Sequence, residues 1–147
     1  IYGLTKGQVS PTSPMGMKSG TSPYGNIARP LNPTTLALAY GATFVARTFS
    51  RERDMVSDLI TRAIQHKGFS FIHDLSPCVV FNKDVTYDSV NSVTAQLPEE
   101  HDILDRSNAM SLAESTEPVY QGLFFQEEIP SFDDHVKQVK DGLNKSD

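Results

Sequence analysis

The sequence has little cysteine, no basic block and no long apolar run, and each absence excludes a class of protein. Its one cysteine, Cys78, cannot form a disulfide within the chain and suits a reducing compartment, so we expect a cytoplasmic location. The formal charge of -5 argues against nucleic acid as the main partner. No apolar stretch is long enough to span a bilayer, and we therefore expect no membrane partner.

Common catalytic and metal-binding motifs are also absent. The 147 residues contain no HExxH, no Walker phosphate loop, no GxGxxG and no zinc-ligand spacing. The histidines are scattered: His66 ends a predicted helix, His73 stands beside Asp74 in a predicted strand, and His101 looks solvated. Adjacent acidic residues such as Glu127-Glu128 indicate surface charge. We therefore assign no catalytic acid, base or nucleophile.

Residues 1–30 are interrupted so often by glycine and proline that they predict a loop. A loop of this length in a compact domain is usually functional or disordered. A flexible N-terminal tail is the alternative. Because the chain begins with Ile1 rather than Met, we expect a processed or truncated product.

Residues 32–75 predict a helix–strand–helix–strand order and hence an α/β fold. Asn32 is suited to cap a helix that begins at Pro33, and 43–49 is rich in β-branched and aromatic residues. Ser50 is predicted to cap the second helix, and 69–75 forms the second strand. The apolar stripe of the second helix consists of Met55, Val56, Leu59, Ile60, Ala63 and Ile64.

The strand–helix–strand part suits a right-handed parallel crossover. In open α/β sheets, ligands bind beyond the carboxyl ends of the strands. We therefore expect a site where Ser76-Pro77-Cys78 and the N-terminal loop meet. Beyond residue 82 the pattern weakens, with a short strand predicted at 122–126 and a last helix capped by Ser131.

The segment Ile1–Pro14 reads IYGLTKGQVSPTSP and resembles the thiamine-diphosphate-binding beta subunit of the 2-oxoacid:ferredoxin oxidoreductases. The resemblance covers residues 1–83, and its further segments are 21–26, 36–47, 66–71, 76–78 and 81–82. It implies the C-terminal half of a thiamine-diphosphate-binding fold with parallel strands and crossover helices. Residues 84–147 are then a C-terminal extension, an irregular α+β tail that packs on this domain or on a partner subunit.

The resemblance implies an oxidoreductase that decarboxylates a 2-oxoacid, of the 2-oxoglutarate type or of broad specificity. The products are acyl-CoA and carbon dioxide, and the electrons pass to ferredoxin. The implied partners are the alpha subunit, ferredoxin, the 2-oxoacid and coenzyme A. The alternative is a non-catalytic assembly module or a stable fragment of such a subunit. A thiamine-dependent decarboxylase or transketolase is a third reading, but it does not explain Ser76-Pro77-Cys78.

The resemblance also assigns roles in the N-terminal loop. The backbone carbonyl of Ile1 is expected to bind Mg²⁺, which prefers oxygen ligands. Lys6 and Leu4 are expected to contact the substrate, with the Lys6 ammonium facing its carboxylate. A solvated loop lysine is the alternative for Lys6. The residues expected to bind thiamine diphosphate are Ile1, Tyr2, Gly3, Leu4 and Thr5.

In this family a Ser-Pro-Cys supplies one of the four thiolates of a [4Fe-4S] cluster, and Cys78 matches that position. A half-buried structural thiol is the alternative. The hydroxyls of Thr21 and Ser22 are expected to orient the loop, or else simply to form a turn. The family's other magnesium ligands and cysteines precede the Ile1 position. Thiamine diphosphate, Mg²⁺ and the cluster thus require residues that this chain lacks, and we expect the chain alone to be inactive.

Overall fold

The computed structural model describes residues 7–143 and contains a mixed four-stranded sheet with the strand order β2-β1-β4-β3. In chain order the elements are α1 (Pro33–Ala39), β1 (Phe44–Phe49), α2 (Arg53–Gln65), β2 (Ser70–Leu75), α3 (Tyr87–Val93), β3 (Thr94–Gln96), α4 (Arg106–Glu114), β4 (Val119–Gln126) and α5 (Phe132–Leu143). Strands β1 and β2 are parallel, as are β3 and β4, whereas β1 and β4 are antiparallel. The predicted α/β fold is confirmed. No helix among residues 7–143 has the length and apolar character needed to cross a membrane.

The beginning and end of α1 are as predicted. The Asn32 side chain accepts hydrogen bonds from the backbone N–H groups of Thr34 (3.1 Å) and Thr35 (3.2 Å), while Pro33 begins the helix. Gly41 follows the helix with φ of 81°, a left-handed conformation that favours glycine and ends helices. Local sequence signals are therefore sufficient to define this helix.

The predicted cap of α2 is wrong. The helix begins only at Arg53, and Glu52 occupies the N-cap position without a side-chain cap hydrogen bond. Ser50 instead belongs to the preceding turn, where its N–H donates to the Leu75 carbonyl (3.1 Å) and the Glu52 N–H donates to Phe49 (2.8 Å). The turn after β1 takes up the residues that the sequence pattern assigned to the cap.

The apolar stripe of α2 is only partly used in the core. Leu59 is buried, and Met55 and Ala63 pack beside it. Ile60 is 45% exposed and Ile64 is 79% exposed, so this side of the stripe lies outside the core. Among residues 7–143, the surface of the sheet that contacts α2 is narrower than the apolar face of this helix.

The C-terminal part of the chain supplies strands to the same sheet. Strand β4 pairs with β1, with Arg47 opposite Gly122, and thereby lies between β1 and β3. It is longer than the predicted 122–126 strand. The predicted cap of the last helix is confirmed, because the Ser131 hydroxyl accepts a hydrogen bond from the Asp134 N–H (3.2 Å).

The sheet carries a separate apolar cluster on each face. On one face, helices α1 and α4 pack against Val45, Phe124 and Phe125. On the other face, α2 packs against Phe44 and Ala46. Alternate residues of β1 therefore enter different clusters, as expected for a strand covered on both faces.

Arg47 is a charged residue inside the first of these clusters, where it is only 3% exposed. Its guanidinium donates to the carbonyls of Tyr120 and Ala113, both at 3.1 Å, and to the Asn32 side chain at 3.4 Å. It also lies 5.2 Å from the centre of the Phe124 ring. Burial lowers the pKa of Arg47 to about 10, which leaves it charged at neutral pH.

Arg106 joins α4 to the rest of the fold. Its guanidinium donates to the carbonyls of Leu38 (2.8 Å) and Ala42 (3.2 Å) and pairs with Glu127 at 2.8 Å. It also stacks 3.9 Å from the centre of the Phe125 ring. One side chain thus satisfies carbonyls at the end of α1 and fixes the end of β4.

We predict that Arg106→Ala lowers the free energy of unfolding by about 2–4 kcal/mol, because it removes the Arg106 donor from the Ala42 carbonyl, leaves the Leu38 carbonyl only the Gly41 N–H, and removes the contacts with Glu127 and Phe125. Urea unfolding of the purified subunit measures this loss. Arg51→Ala is the matched control, since Arg51 pairs with Asp88 at an exposed site and its loss should cost less than about 0.5 kcal/mol. Equal losses in the two variants would contradict the structural role of Arg106.

Candidate functional site

A cleft of about 440 Å³ lies where the N-terminal loop meets the segment that follows β2. Its polar lining residues are Thr12, Ser13, Ser76, Cys78, Asn82 and Thr94, and its apolar ones are Pro14, Met17, Leu75, Pro77, Val85, Val90, Val93 and Val119. The structure thus brings together the two segments that the sequence analysis expected at one site. We call this space the β2-end cleft.

The sheet topology explains why these residues converge. Strand β2 ends at Leu75, and the chain leaves the sheet there through Ser76-Pro77-Cys78. Because β4 is antiparallel to β1, its first residue, Val119, lies at the same edge. Thr94 of β3 is paired with Val119 and is carried to that edge as well. The cleft therefore lies beyond the carboxyl ends of the parallel strands β1 and β2, the position where α/β folds bind ligands, and at the amino ends of β3 and β4.

One wall of the cleft is a tight turn at residues 10–14. The Ser13 N–H donates to the Ser10 carbonyl (3.0 Å), and the Ser10 N–H donates to the Ser13 hydroxyl (2.9 Å). The Ser10 hydroxyl also accepts a hydrogen bond from the Thr12 N–H (3.2 Å). Ser13 is only 2% exposed. The wall is therefore a closed hydrogen-bonded unit rather than a flexible tail.

Asn26 holds this turn from outside the cleft, and the sequence analysis missed it. Its side-chain amide donates to the carbonyls of Ser13 (2.9 Å), Ala28 (3.3 Å) and Pro14 (3.4 Å). Its side-chain oxygen accepts from the Ala28 N–H (3.2 Å). The available signal was a loop asparagine after glycine, a residue type that readily bonds to nearby backbone.

Thr21 and Ser22 lie in a separate turn. The Ser19 and Ser22 backbones exchange hydrogen bonds of 3.1–3.2 Å, and the Thr21 hydroxyl lies 3.4 Å from the Ser19 hydroxyl. Neither residue lines the β2-end cleft. This geometry favours the simple turn of the two roles considered for them.

Cys78 lies on the opposite wall and is partly buried. Its carbonyl accepts from the Asn82 N–H (2.9 Å), which fixes the turn after β2. Within residues 7–143, no group of three or more His, Cys, Asp or Glu side chains is arranged to hold a metal ion. The position of Cys78 in a cleft suits a cluster ligand, but the remaining thiolates of a [4Fe-4S] cluster would have to come from outside these residues.

The loop residues with predicted cofactor and substrate roles lie outside the described part of the chain. These residues are Ile1, Tyr2, Gly3, Leu4, Thr5 and Lys6, and their roles stay predictions. Gly7, the first described residue, is buried and has φ of 87°. The described chain therefore enters the cleft wall directly after the segment with the predicted roles.

His73 lies in β2, shortly before the cleft. Its Nδ1 is 3.3 Å from the Thr34 hydroxyl, whereas Asp74, on the other face of the strand, accepts from the Thr48 hydroxyl at 2.7 Å. Burial, and secondarily the charge of Arg47, lower the pKa of His73 to about 4. His73 is therefore neutral at physiological pH, and its neighbour Asp74 has a different hydrogen-bond partner.

The other histidines contribute to the fold. His66 Nε2 lies 2.8 Å from the Thr43 hydroxyl at the end of α2. The prediction that His101 is solvated is wrong, because its Nε2 donates to the Phe124 carbonyl at 2.8 Å. Its Nδ1 then accepts from the Asn108 amide at 3.1 Å. A carbonyl at the end of the central strand thus requires a donor that the local sequence does not reveal.

Two protein-family models match the chain and together cover most of it. Residues 1–73 match the C-terminal TPP-binding domain of the thiamine pyrophosphate enzymes, and residues 78–141 match the C-terminal part of the pyruvate ferredoxin oxidoreductase beta subunit. The first model includes the N-terminal loop and the first two strands. The second begins at Cys78 and includes the strands that complete the sheet.

Curated relatives and a solved structure agree with these matches. The chain is 31% identical to the 2-oxoglutarate synthase subunit KorB of Archaeoglobus fulgidus over its whole length. It is 40% identical over 96 residues to the 2-oxoglutarate oxidoreductase subunit KorB of Mycobacterium tuberculosis, covering 65% of this chain and 26% of the relative. A 2-oxoglutarate:ferredoxin oxidoreductase from Magnetococcus marinus, solved with 2-oxoglutarate, coenzyme A and succinyl-CoA bound, is 38% identical over 98% of this chain with a TM-score of 0.93.

The chain spans about half the length of several of these proteins. It covers 52% of the Archaeoglobus subunit and 50% of the Magnetococcus chain. The similarity therefore extends over nearly all of this chain but only over part of each relative.

We predict that His73→Gln reduces the loss of stability on acidification. Because the pKa of His73 is about 4 in the folded state against 6.5 ordinarily, only the unfolded state gains this proton as the pH falls below 6.5. This difference lowers the free energy of unfolding by about 2 kcal/mol between pH 7 and pH 5. Glutamine does not titrate, so the variant should lack this part of the decline.

Urea unfolding at pH 5, 6 and 7 measures the effect. His135→Gln, at an exposed position of α5, is the matched control and should decline as the wild type does. A decline in His73→Gln as steep as that of the wild type would show that His73 takes up a proton equally in both states.

Proposed function

Because this chain belongs to the beta-subunit family of the 2-oxoacid:ferredoxin oxidoreductases, we propose that it forms part of an enzyme that oxidatively decarboxylates 2-oxoglutarate or a related 2-oxoacid. The products are the acyl-CoA and carbon dioxide, and the electrons pass to ferredoxin. The observation that carries this proposal is the β2-end cleft. There, the turn that follows the Ile1–Lys6 segment faces Cys78 across an apolar space.

The described residues suit the surroundings of a cofactor rather than its direct ligands. The side chains of Val85, Val90 and Val93 give the cleft an apolar lining on one side. The Ser13 hydroxyl is already engaged with the Ser10 N–H. Thiamine diphosphate, when bound, supplies the nucleophilic carbon and the electron sink that decarboxylation requires. The walls of the cleft would hold the loop that contacts it and keep solvent away.

The groups that bind cofactor and substrate are proposed to lie in the Ile1–Lys6 segment. The Ile1 carbonyl would bind Mg²⁺, and Tyr2, Gly3, Leu4 and Thr5 would contact thiamine diphosphate, with Leu4 also beside the substrate. Lys6 would pair with a carboxylate of the 2-oxoacid. Two carboxylates distinguish 2-oxoglutarate from pyruvate, and a lysine in the pocket favours the more anionic acid.

The remaining parts of the enzyme are proposed to come from other chain segments. Cys78 would supply one thiolate to a [4Fe-4S] cluster, and the other ligands would lie outside residues 7–143. An alpha subunit would complete the sites for the 2-oxoacid and coenzyme A. Ferredoxin would accept the electrons in the cytoplasm. This chain by itself would be inactive.

We predict that the intact subunit, assembled with its alpha subunit, reduces a viologen dye anaerobically when 2-oxoglutarate and coenzyme A are both present. In Lys6→Ala the KM for 2-oxoglutarate should rise by about tenfold or more, because a charge-assisted contact with a carboxylate is lost. Lys18→Ala is the matched control, since Lys18 is an exposed lysine of the same loop, and its KM should stay at the wild-type value.

Pyruvate and branched-chain 2-oxoacids are tested beside 2-oxoglutarate to define the substrate. An equal change of KM in both lysine variants would remove Lys6 from the pocket. If a wild-type preparation that contains iron and thiamine diphosphate reduces no dye with any of these acids, the enzymatic function is wrong. The assembly module is then the better description.

We predict that Cys78→Ser in the intact subunit removes most of the cluster iron and the electron paramagnetic resonance signal of the reduced cluster, because serine is a poor substitute for a thiolate ligand. Ser76→Ala, on the same cleft wall, should retain both. Iron analysis and spectroscopy after reconstitution measure this difference. Full iron content in Cys78→Ser would show that Cys78 is a structural thiol.

A further inference from the structure

The wall of the β2-end cleft is connected to the second half of the N-terminal loop by the side chain of Asn26, and the Leu31 N–H also donates to the Pro11 carbonyl (2.7 Å). The Asn26 side chain reaches the Ser13 and Pro14 carbonyls, and both of those residues line the cleft. Its backbone is used as well. The Asn26 carbonyl accepts from the Gly16 N–H (2.7 Å), and its N–H donates to the Met17 carbonyl (2.9 Å). Asn26 itself does not line the cleft, so any effect it has on a ligand acts through the turn.

The hydrogen-bonding pattern at this position suits asparagine and excludes aspartate. The Asn26 amide faces three carbonyl oxygens and needs N–H donors, while its other side-chain atom faces an N–H and needs an acceptor. Only a carboxamide offers both on one short side chain. An aspartate of the same size would place a negative charge against the carbonyls of Ser13 and Pro14 and would repel the turn.

Gly25, the residue before Asn26, packs closely against the backbone of Gly16. Gly25 has φ of 99°, and a Cβ atom there would lie 2.9 Å from the Gly16 carbonyl oxygen. Gly20, at the far end of the same loop, has no atom within 4 Å of such a Cβ and no positive φ. The loop is therefore closely packed where it supports the cleft wall and open at its tip. This contrast provides a second variant and a control on the same loop.

We propose that Asn26 is a positioning residue for the enzyme reaction, acting by holding the Ser10–Pro14 turn and through it the segment that leads back to Lys6. This inference rests on the proposed function. Residues 7–9 join this turn to the segment proposed to contact the 2-oxoacid and thiamine diphosphate, and we therefore expect a displaced turn to disturb that segment. The consequence is weaker binding rather than loss of folded protein.

The test compares four forms of the intact subunit with its alpha subunit: wild type, Asn26→Asp, Gly25→Ala and Gly20→Ala. The readouts are the KM for 2-oxoglutarate, kcat, the dissociation constant of Mg²⁺–thiamine diphosphate by calorimetry, and Tm. Hydrogen exchange of the Ser13, Gly16 and Met17 amides reports on the turn directly, independently of activity. All three amides donate to carbonyls of this loop.

Asn26→Asp and Gly25→Ala should both raise the KM or the cofactor dissociation constant by at least about tenfold, with faster exchange of the three amides. In the first variant a partly buried polar contact becomes repulsive, and in the second a Cβ atom meets the Gly16 carbonyl. Their Tm should stay close to that of the wild type. Gly20→Ala should match the wild type in every readout. If Asn26→Asp does not fold, Gly25→Ala carries the test alone.

Two results would overturn the positioning role while leaving the proposed function intact. One is an active wild type with binding constants within about twofold in both variants. The other is a loss of kcat that follows a fall in Tm while the KM and the dissociation constant stay unchanged, which is the behaviour of a structural residue. A wild type that reduces no dye and binds no thiamine diphosphate would instead overturn the proposed function, and the positioning role with it.

Discussion

The charge of Arg47 inside the core constrains how the elements of this fold are arranged. A buried cation is tolerated only when oxygen atoms satisfy its N–H groups, because the cost of removing it from water is several kcal/mol. The terminal N–H groups meet oxygens of Tyr120 in β4, of Ala113 at the end of α4 and of Asn32 before α1, whereas the Nε–H has no partner among residues 7–143. None of these oxygens belongs to a carboxylate, so the stabilisation depends on the placement of neutral dipoles. Moving any of these elements away would remove one of the few partners of a charge in an apolar surrounding.

This constraint extends toward the candidate site. Asn32 accepts from Arg47, caps α1 and also donates to the Ala113 carbonyl at 2.7 Å, so one side chain links both helices on this face. The first turn of α1 then places Thr34 beside His73 in β2. Burial lowers the pKa of His73, and the positive charge that Arg47 already brings into this region lowers it further. The strand that leads to Cys78 thus contains a neutral histidine that contacts the first turn of α1.

Local patterns predict the first part of this fold well and the long-range contacts poorly. The cap at Asn32, the strand at 43–49 and the parallel pair with β2 follow from residue types and their spacing. The position of β4 between β1 and β3 does not, since no local signal specifies a pairing partner far along the chain. The contacts of Arg47 in the buried strand β1 with the carbonyls of Tyr120 and Ala113 are of the same long-range kind and were not predicted. At the site, Ser76-Pro77-Cys78 and the N-terminal loop were predictable from the strand ends, whereas the contacts of Asn26 required the structure.

The hydrogen bonding of the cleft wall indicates that the wall shapes the cleft rather than binding the ligand directly. A phosphate or carboxylate ligand needs free donors, yet the Ser10 hydroxyl lies within hydrogen-bond distance of the hydroxyls of Thr12 (2.8 Å) and Ser13 (3.4 Å), and the Asn26 amide is engaged on carbonyls. A wall whose polar groups are already paired gains little by contacting an anion, because each new contact would replace an existing one. Its contribution must therefore be shape and rigidity, which favour neighbouring segments when they bind by sparing them the entropy of ordering. The proposed direct recognition by Lys6, which precedes this wall in the chain, is consistent with that division.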